Sequence, residues 1–403
     1  MNSILKRVAR LTPKPLKSLA HSVLQHRNGL RHLFRHNLRA AATWRGDNPR
    51  VYLHNAHSFV RSHSIWRTYI THPPLRYAPY PIADLYHWIN PYPIAELYRY
   101  AHTVPRCLRK PNIFEIEHVF MLVGGDVEDW HYIANSQEVI NQRVGLEHCH
   151  TVFTFSAGLV EHFKQFVQPE FWSKLDYVYP AYPAQPEQER TGLQPFTMLV
   201  IASRFSDKGI PEAMRAYEVL RARHGAGVRM LLVSQAVPTG YRLPEGVVHY
   251  DTPRMDEDLK SQLYQAADVL LLPCYSETAA CFPEAYAFGV PVVTTRIHHG
   301  DEFVREGVTG YLLRTPAFPY SEGFGSRWKS WKNFLSDLEA MRERGELHGI
   351  VDDMVDRLEV MIRGGIDVAS MRRAARAFHA EQFSPEARNR KLLFLYAAAL
   401  ENQ

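Results

Sequence analysis

Cysteine is scarce in this chain of 403 residues: Cys107, Cys149, Cys274 and Cys281 include no C-x-x-C pair. That excludes a disulfide scaffold and a zinc ribbon. Long apolar runs are missing too. The run Leu392–Leu400 is nine residues long, whereas a membrane-spanning helix needs roughly 20, so a spanning helix is excluded. No apolar signal-peptide core with a small-residue cleavage context is visible, and a reducing, cytoplasmic compartment is expected. What is present is ordinary globular composition, 46 % hydrophobic and 22 % charged, which argues against wholesale disorder. At roughly 150 residues per domain the length predicts two or three domains.

Acidic residues are absent from positions 1–46, which hold ten Lys or Arg: Lys6, Arg7, Arg10, Lys14, Lys17, Arg27, Arg31, Arg35, Arg39 and Arg45. Subtracting those ten from the net charge of +5 leaves −5 for residues 47–403. Apolar residues in this arm recur at helical spacing (Ile4, Leu5, Val8; Leu16, Leu19, Val23, Leu24; Leu30, Leu33, Phe34, Leu38), with the cations on the other face. A basic amphipathic helix of this kind can lie in a bilayer interface, drawn to anionic lipid. The alternatives are a helix packed on the body with a solvated basic face, or an organelle transit peptide. Nucleic-acid binding is not expected, because the cations interleave with a leucine face and no reader motif follows.

From about residue 50, short apolar runs alternate with helical patterns, the signature of an α/β protein with parallel sheets. Val51–Leu53, Ile113–Ile116 and Val152–Phe155 read as strands of a first half. The polar stretch 183–190 reads as a linker. Met198–Ala202, Met230–Val233, Val269–Leu272 and Val290–Thr294 read as strands of a second half, with helices over Pro211–Arg223, Asp256–Ala267 and Pro283–Phe288. Two such halves facing each other would put a ligand at the carboxyl ends of their strands. Pro79-Tyr-Pro-Ile-Ala-Asp-Leu-Tyr86 recurs as Pro91-Tyr-Pro-Ile-Ala-Glu-Leu-Tyr98. In each copy Pro81 or Pro93 could start a short helix, shaping an aromatic acceptor surface or simply packing.

The chemistry concentrates after three strand ends. Val269–Leu272 runs into Pro273-Cys-Tyr-Ser-Glu-Thr-Ala-Ala-Cys-Phe-Pro-Glu284 and then Ala-Tyr-Ala-Phe-Gly-Val-Pro-Val-Val293. Backbone N–H groups at the helix start near Pro283 could meet an anion or a sugar hydroxyl. Glu284, in the first turn, could accept hydrogen bonds from vicinal hydroxyls such as those of a ribose. Met198–Ala202 runs into Ser203-Arg-Phe-Ser-Asp-Lys-Gly209, and a third element is Thr294-Thr-Arg-Ile-His-His-Gly-Asp-Glu302 followed by Glu306-Gly-Val-Thr-Gly-Tyr-Leu-Leu313. Gly307 and Gly310 read as turn residues. His298–His299 and His148-Cys149-His150 match no metal spacing and read as loop residues.

This pattern resembles glycosyltransferase family 4, retaining enzymes of the GT-B fold, over Phe196–Leu313. Members carry Glu, seven residues, Glu, then Ala-x-Ala-x-Gly-x-Pro-Val-Val, and that trailing sequence is present here unaltered. The resemblance implies that Glu284 holds the donor ribose. Glu277 lies seven positions before Glu284 rather than eight, leaving Ser276 at the eighth. The loop is read as one residue shorter with Glu277 still reaching the donor sugar; the alternative is an altered contact. Arg204 and Lys208 match the Arg…Lys-Gly element that binds the donor diphosphate, again one residue tighter in spacing. His118, after Asn112-Ile-Phe-Glu-Ile-Glu117, matches the histidine that faces the reacting carbon, and Glu117 could orient its ring or meet an acceptor hydroxyl. Where members often have a Gly-Gly loop, this chain has His54-Asn-Ala-His-Ser-Phe59, which makes Asn55 and His57 acceptor-side candidates.

The implied architecture is α/β of GT-B type: a basic arm (1–46), an N-terminal Rossmann-like acceptor domain (47–185), a C-terminal Rossmann-like donor domain (193–378) with an insertion (315–350), and a helix (379–403) crossing back to the first domain. In the insertion, Trp328, Trp331, Phe334 and Leu335 fall at helical spacing amid Arg and Lys, which fits either a membrane or acceptor contact or a helix packed on the body. The implied activity is retaining transfer of a sugar, a hexose or a related one, from a nucleotide-diphosphate donor to a hydroxyl of a glycan or lipid-linked acceptor. A sugar-nucleotide epimerase of the same fold, or a catalytically silent nucleotide-sugar-binding scaffold, is the alternative. No Asp-x-Asp triplet directly follows a strand and Arg204 and Lys208 supply positive charge, so no cofactor and no divalent metal is expected. The expected partners are the nucleotide sugar, the acceptor and, through the arm, the cytoplasmic membrane face.

Overall fold

A computed structural model of the chain describes residues 51–54, 69–72, 85–89, 111–117, 119–122, 137–187, 194–252, 255–276, 279–297, 300–315, 330–365 and 367–401. The basic arm, Asn55, His57, His118, Glu277, the histidine pair His298–His299 and Trp328 lie outside these described residues.

Among the described residues, two six-stranded sheets, every strand pair parallel, form the body. The first holds β1 (Val51–His54), β2 (Tyr69–His72), β3 (Leu85–Ile89), β4 (Asn112–Glu115), β5 (Cys149–Thr154) and β6 (Leu175–Tyr177), in the order β2-β1-β3-β4-β5-β6. The second holds β7 (Phe196–Ile201), β8 (Val228–Val233), β9 (Val247–Tyr250), β10 (Val269–Leu272), β11 (Val292–Thr295) and β12 (Gly310–Leu313), in the order β12-β11-β10-β7-β8-β9. Numbered within its own half, the second sheet runs 6-5-4-1-2-3, the doubly wound dinucleotide-binding order; the first begins 2-1-3-4-5, the flavodoxin-like order. Strands such as β10, Val-Leu-Leu-Leu, are buried at every position, because a parallel sheet covered by helices on both faces leaves no side for water.

Each order reverses at one point, between β1 and β3 in the first sheet and between β7 and β10 in the second. Loops leave in opposite directions there and open a crevice at the carboxyl ends of the strands. Gly209 sits in the second crevice with φ +68°, and a Cβ there would lie 2.0 Å from the Pro273 carbonyl oxygen. Only glycine lets the loop after β7 press that closely on the loop after β10.

The chain crosses between the halves twice, and the two crossings lie side by side. The segment after β6 meets the turn His379–Phe383: the Tyr182 N–H donates to the Phe383 carbonyl at 3.0 Å, and His379 Nε2 lies 2.8 Å from the Tyr182 carbonyl oxygen. The π-helical turn His379–Phe383 redirects the helix Val368–Phe378 into the helix Pro385–Glu401, whose first turn Ser384 caps through the Ala387 N–H. Leu392, Leu395, Tyr396 and Ala399 of this last helix bury themselves against Leu85, Ile113, Phe153 and Val178 of the first half. The helix therefore crosses back, as its sequence predicts.

Two local expectations change, and a third, left open between two readings, falls to one of them. The first copy of the duplicated octapeptide does not end in a helix, because Leu85 and Tyr86 open the central strand β3. Leu85 and His87 alternate into the core there, His87 lying with its Nδ1 2.7 Å from the Tyr396 hydroxyl and its Nε2 3.1 Å from the Glu115 carboxylate. The helix expected near Pro283 begins at Cys281, which places the proline in the first turn, where its missing N–H is no loss. The aromatic stripe of the 315–350 segment is packed on the body: in the helix Trp331–Glu343, Phe334, Leu338 and Met341 are buried, in one cluster with Met198, Val200 and Ile210 of the second half.

Candidate functional site

The crevice between β7 and β10 collects three of the residues singled out from sequence. Arg204 and Lys208 lie on the loop between β7 and the helix Ile210–His224, and Ser276 lies on the loop after β10. A fourth residue organises them. The Asp207 carboxylate, 1 % exposed, accepts from Arg204 Nε at 2.8 Å and from the Ser276 hydroxyl at 2.5 Å. Arg204 Nη2 in turn donates to Ser276 Oγ at 3.1 Å. The Asp207 carbonyl accepts the Tyr275 N–H at 2.8 Å, and Lys208 Nζ lies 3.4 Å from the Ser276 carbonyl oxygen.

The result is a cation held from behind. Arg204 is 47 % exposed at its side chain, its Nε and Nη2 edge fixed by Asp207 and Ser276. Its Nη1 makes no hydrogen bond among the described residues. An aligned guanidinium with a spare donor suits a phosphoryl oxygen, which accepts planar paired N–H groups. Asp207 lies within the Arg-Phe-Ser-Asp-Lys-Gly segment, where a motif reading assigns roles only to Arg204 and Lys208. Its signal was that Asp three residues after Arg can close back on it.

Glu284 belongs to a second cluster. It lies in the first turn of the helix Cys281–Ala287, 8 % exposed, and accepts from Lys260 Nζ at 2.8 Å and from the Tyr264 hydroxyl at 3.1 Å. Burial raises its pKa against the pull of Lys260 and Tyr264. Burial would lower the pKa of Lys260, but the Glu284 carboxylate outweighs it and the pKa is raised. Each carboxylate oxygen has two lone pairs, so Glu284 keeps acceptor capacity beyond these two bonds. The helix cap, Ala280, offers no side-chain acceptor to the first-turn N–H groups. Sequence reasoning missed Lys260 and Tyr264, which lie 24 and 20 positions away on the face that the helix Glu257–Ala266 turns inward. The chain's Asp-x-Asp triplet, Asp256-Glu257-Asp258, opens that same helix, and Asp256 caps it by accepting the Leu259 N–H at 2.8 Å.

On the first half, Glu117 lies two residues beyond the end of β4 and is half-buried. His118, Asn55, His57 and Glu277, the other catalytic and acceptor-side candidates, lie outside the described residues. Glu302 joins the two halves at their facing loops: after β11, it accepts the N–H groups of Ala157 and Gly158 at 2.8 and 2.6 Å and the Tyr179 hydroxyl at 3.0 Å. A carboxylate of the second half thus meets the positive N-terminal end of a helix in the first, the helix Ala157–Phe163. Nothing in Gly300-Asp-Glu302 distinguished this glutamate in the sequence.

Residues 197–319 match the family described as Glycosyl transferases group 1. A D-inositol 3-phosphate glycosyltransferase of Nocardia farcinica is 28 % identical over 141 residues, 32 % of this chain and 29 % of the relative. The matched region is therefore less than a third of that relative's length. Among solved structures, Anabaena HepE in complex with UDP and glucose superposes with a TM-score of 0.50 at 14 % identity, covering 78 % of each chain. S. aureus TarM in complex with fondaparinux, alpha-GlcNAc-glycerol and UDP superposes with a TM-score of 0.51 at 12 % identity, covering 77 % of this chain and 55 % of that one. The two parallel sheets, their strand orders and these likenesses agree on a GT-B fold.

Proposed function

We propose that this chain is a retaining glycosyltransferase of the family 4 kind. It moves a sugar, a hexose or a close relative, from a nucleotide-diphosphate donor to a hydroxyl of a glycan or lipid-linked acceptor. The observation that carries the proposal is the guanidinium of Arg204, held by Asp207 and Ser276 beside Lys208 at the switch point of the second sheet. The glycosidic carbon–oxygen bond to the β-phosphate breaks and a bond from that carbon to the acceptor oxygen forms. The leaving phosphate oxygen takes the acceptor's proton on the same face, so configuration is retained. Arg204 and Lys208 stabilise the negative charge that develops on the leaving diphosphate. In this reading no divalent metal is needed.

The remaining roles follow the family pattern: Glu284 accepts the ribose hydroxyls, Glu277 touches the donor sugar, and His118 faces the reacting carbon. Glu117, Asn55 and His57 line the acceptor side. The basic arm holds the protein on the anionic cytoplasmic membrane face, where lipid-linked acceptors of lipopolysaccharide or other surface polysaccharide are built. UDP is the first nucleotide to test, since HepE and TarM hold it.

Thermal denaturation with UDP, GDP, ADP and TDP sugars tests the donor side, because a ligand that binds the folded state raises its melting temperature. At least one sugar nucleotide is expected to do so. Failure of all four removes the proposal. Incubation with the stabilising donor alone, then with glycan and lipid-linked acceptors, separates the readings: slow donor hydrolysis and acceptor-dependent release of nucleoside diphosphate are expected. An epimerised donor would indicate the epimerase, and binding without turnover the silent scaffold.

A further inference from the structure

We propose that the helix Trp331–Glu343 splints the diphosphate loop, with Trp331 and Arg342 as positioning residues for Arg204. The inference rests on the donor-binding reading above and names residues outside its motifs. Trp331 opens the helix behind the cap Ser330, which accepts the Asn333 N–H at 3.2 Å. Its ring lies 5.0 Å from the Arg204 guanidinium carbon. Arg342 stands eleven residues further on, close to three full turns of helix, so both side chains leave the same face. That face is the one Phe334, Leu338 and Met341 bury.

Arg342 reaches the other side of the same loop. Its Nε donates to Glu212 Oε1 at 2.6 Å, its Nη2 donates to the Ser206 carbonyl, and its Nη1 meets the Ser206 hydroxyl and Glu339. Its side chain is 13 % exposed, and its guanidinium lies 5.9 Å from the Tyr275 ring, next to Ser276. Glu212 belongs to the helix that follows the loop. Arg342 therefore ties Ser206, Glu212 and the neighbourhood of Tyr275 into one frame, at sequence separations of 136 and 130 from the first two.

The consequence for Arg204 is geometric. Asp207 and Ser276 fix the inner edge of its guanidinium, and the Trp331 ring covers one face. An arginine on an exposed loop samples many rotamers, and ordering it on ligand binding opposes affinity. Stacking on an indole removes most of that freedom beforehand while leaving Nη1 turned outward. A diphosphate then meets a donor already in place.

A double-mutant cycle tests this on the full chain, read by calorimetric titration with whichever of UDP, GDP, ADP and TDP binds the native protein most tightly. Trp331→Leu is expected to weaken that nucleotide about five- to tenfold, the scale of a partly desolvated cation–π contact. Trp331→Phe, which keeps a ring, is expected to recover most of the loss. In an Arg204→Leu background, Trp331→Leu is expected to have no further effect, because the group it positions is gone. Arg342→Met is expected to weaken the nucleotide, with partial recovery in Arg342→Lys. Full additivity of Trp331→Leu and Arg204→Leu, or native affinity in Trp331→Leu, overturns the positioning role. Should Trp331→Leu fail to fold, Trp331→Met, which removes the ring but keeps apolar bulk, carries the cycle in both backgrounds. If Arg204→Leu itself binds every nucleotide as the native protein does, the donor site fails as well. Arg204→Leu weakened with Trp331→Leu unchanged removes the splint alone.

Discussion

Arg204 and Arg388 each meet a buried carboxylate, and the two pairs are built to opposite ends. Arg388, on the crossing helix, is 6 % exposed at its side chain and bonds Glu115 of β4 at 2.6 Å. Its Nη1 donates to the carbonyls of Val178 and Tyr179 at 3.3 and 2.9 Å. His87 Nε2 stands 3.1 Å from the second Glu115 oxygen, and His87 Nδ1 is 2.7 Å from the Tyr396 hydroxyl. This cluster spends its polar groups on the protein itself. Arg204 uses one edge on Asp207 and Ser276 and turns the rest outward, 47 % exposed. A closed ion cluster holds elements together; a half-closed one presents charge to a ligand.

Breaking the closed cluster is expected to have the largest effect. Arg388→Met leaves Glu115 charged and buried without its main partner, and removal of one member of a buried pair typically destabilises by about 3–5 kcal/mol. Chemical denaturation of the full chain measures this. Loss of the crossing helix's protection in hydrogen exchange would place the damage at the first sheet. A loss below 1 kcal/mol would show that the pair does not anchor the helix.

Acid offers a second way to open the same cluster. Burial alone would raise the pKa of Glu115, but Arg388 first and then His87 overcome it and hold the carboxyl at about 2, against an ordinary value of 4.5. A folded pKa below the unfolded one means stabilisation that is complete above about 4.5 and is lost as pH falls toward 2. Burial also lowers the pKa of His87, so protonating it on acidification works in the same direction. Between pH 5 and pH 3 the native chain is expected to lose more stability than Glu115→Gln, measured by denaturant midpoints. Parallel curves would contradict the assignment.

A smaller effect is expected at Glu284, where the comparison is sharpened because the group is buried yet assigned to a ligand. Glu284→Gln keeps the shape and removes the charge that faces Lys260. Loss of charge-assisted acceptance from two ribose hydroxyls is expected to weaken a nucleotide about tenfold, and to narrow the preference for ribo- over 2′-deoxyribonucleotides. A stability loss with unchanged nucleotide affinity would make the Lys260–Glu284 pair structural only.

Four strands of the second sheet were legible because each holds a short apolar run bounded by turn residues, so Met198–Ala202 and Val269–Leu272 stood out and fell within a residue or two of β7 and β10; β9, Val-Val-His-Tyr, and β12, Gly-Tyr-Leu-Leu, were not read as strands. The first sheet was harder. β3 is Leu-Tyr-His-Trp-Ile, and a histidine at its centre reads as polar until Glu115 and Tyr396, one on the next strand and one 309 residues away, are seen to lie against it. The same divide runs through the site. Arg204, Lys208 and Glu284 carry local motifs. Asp207, Lys260, Tyr264, Trp331 and Arg342 act through contacts whose spacing a motif does not encode, and the Arg342 face of its helix looks like any amphipathic stripe until Ser206 lies beneath it.

The most direct test of the central claim, that the switch point of the second sheet binds a diphosphate, compares a nucleoside diphosphate with its parent nucleoside by calorimetric titration. Native protein is expected to favour UDP over uridine, or the corresponding pair for another base. Replacing both Arg204 and Lys208 by Leu is expected to cut that preference about a hundredfold or more, measured at a temperature where circular dichroism shows the variant folded. A double variant that keeps the native preference would contradict the account.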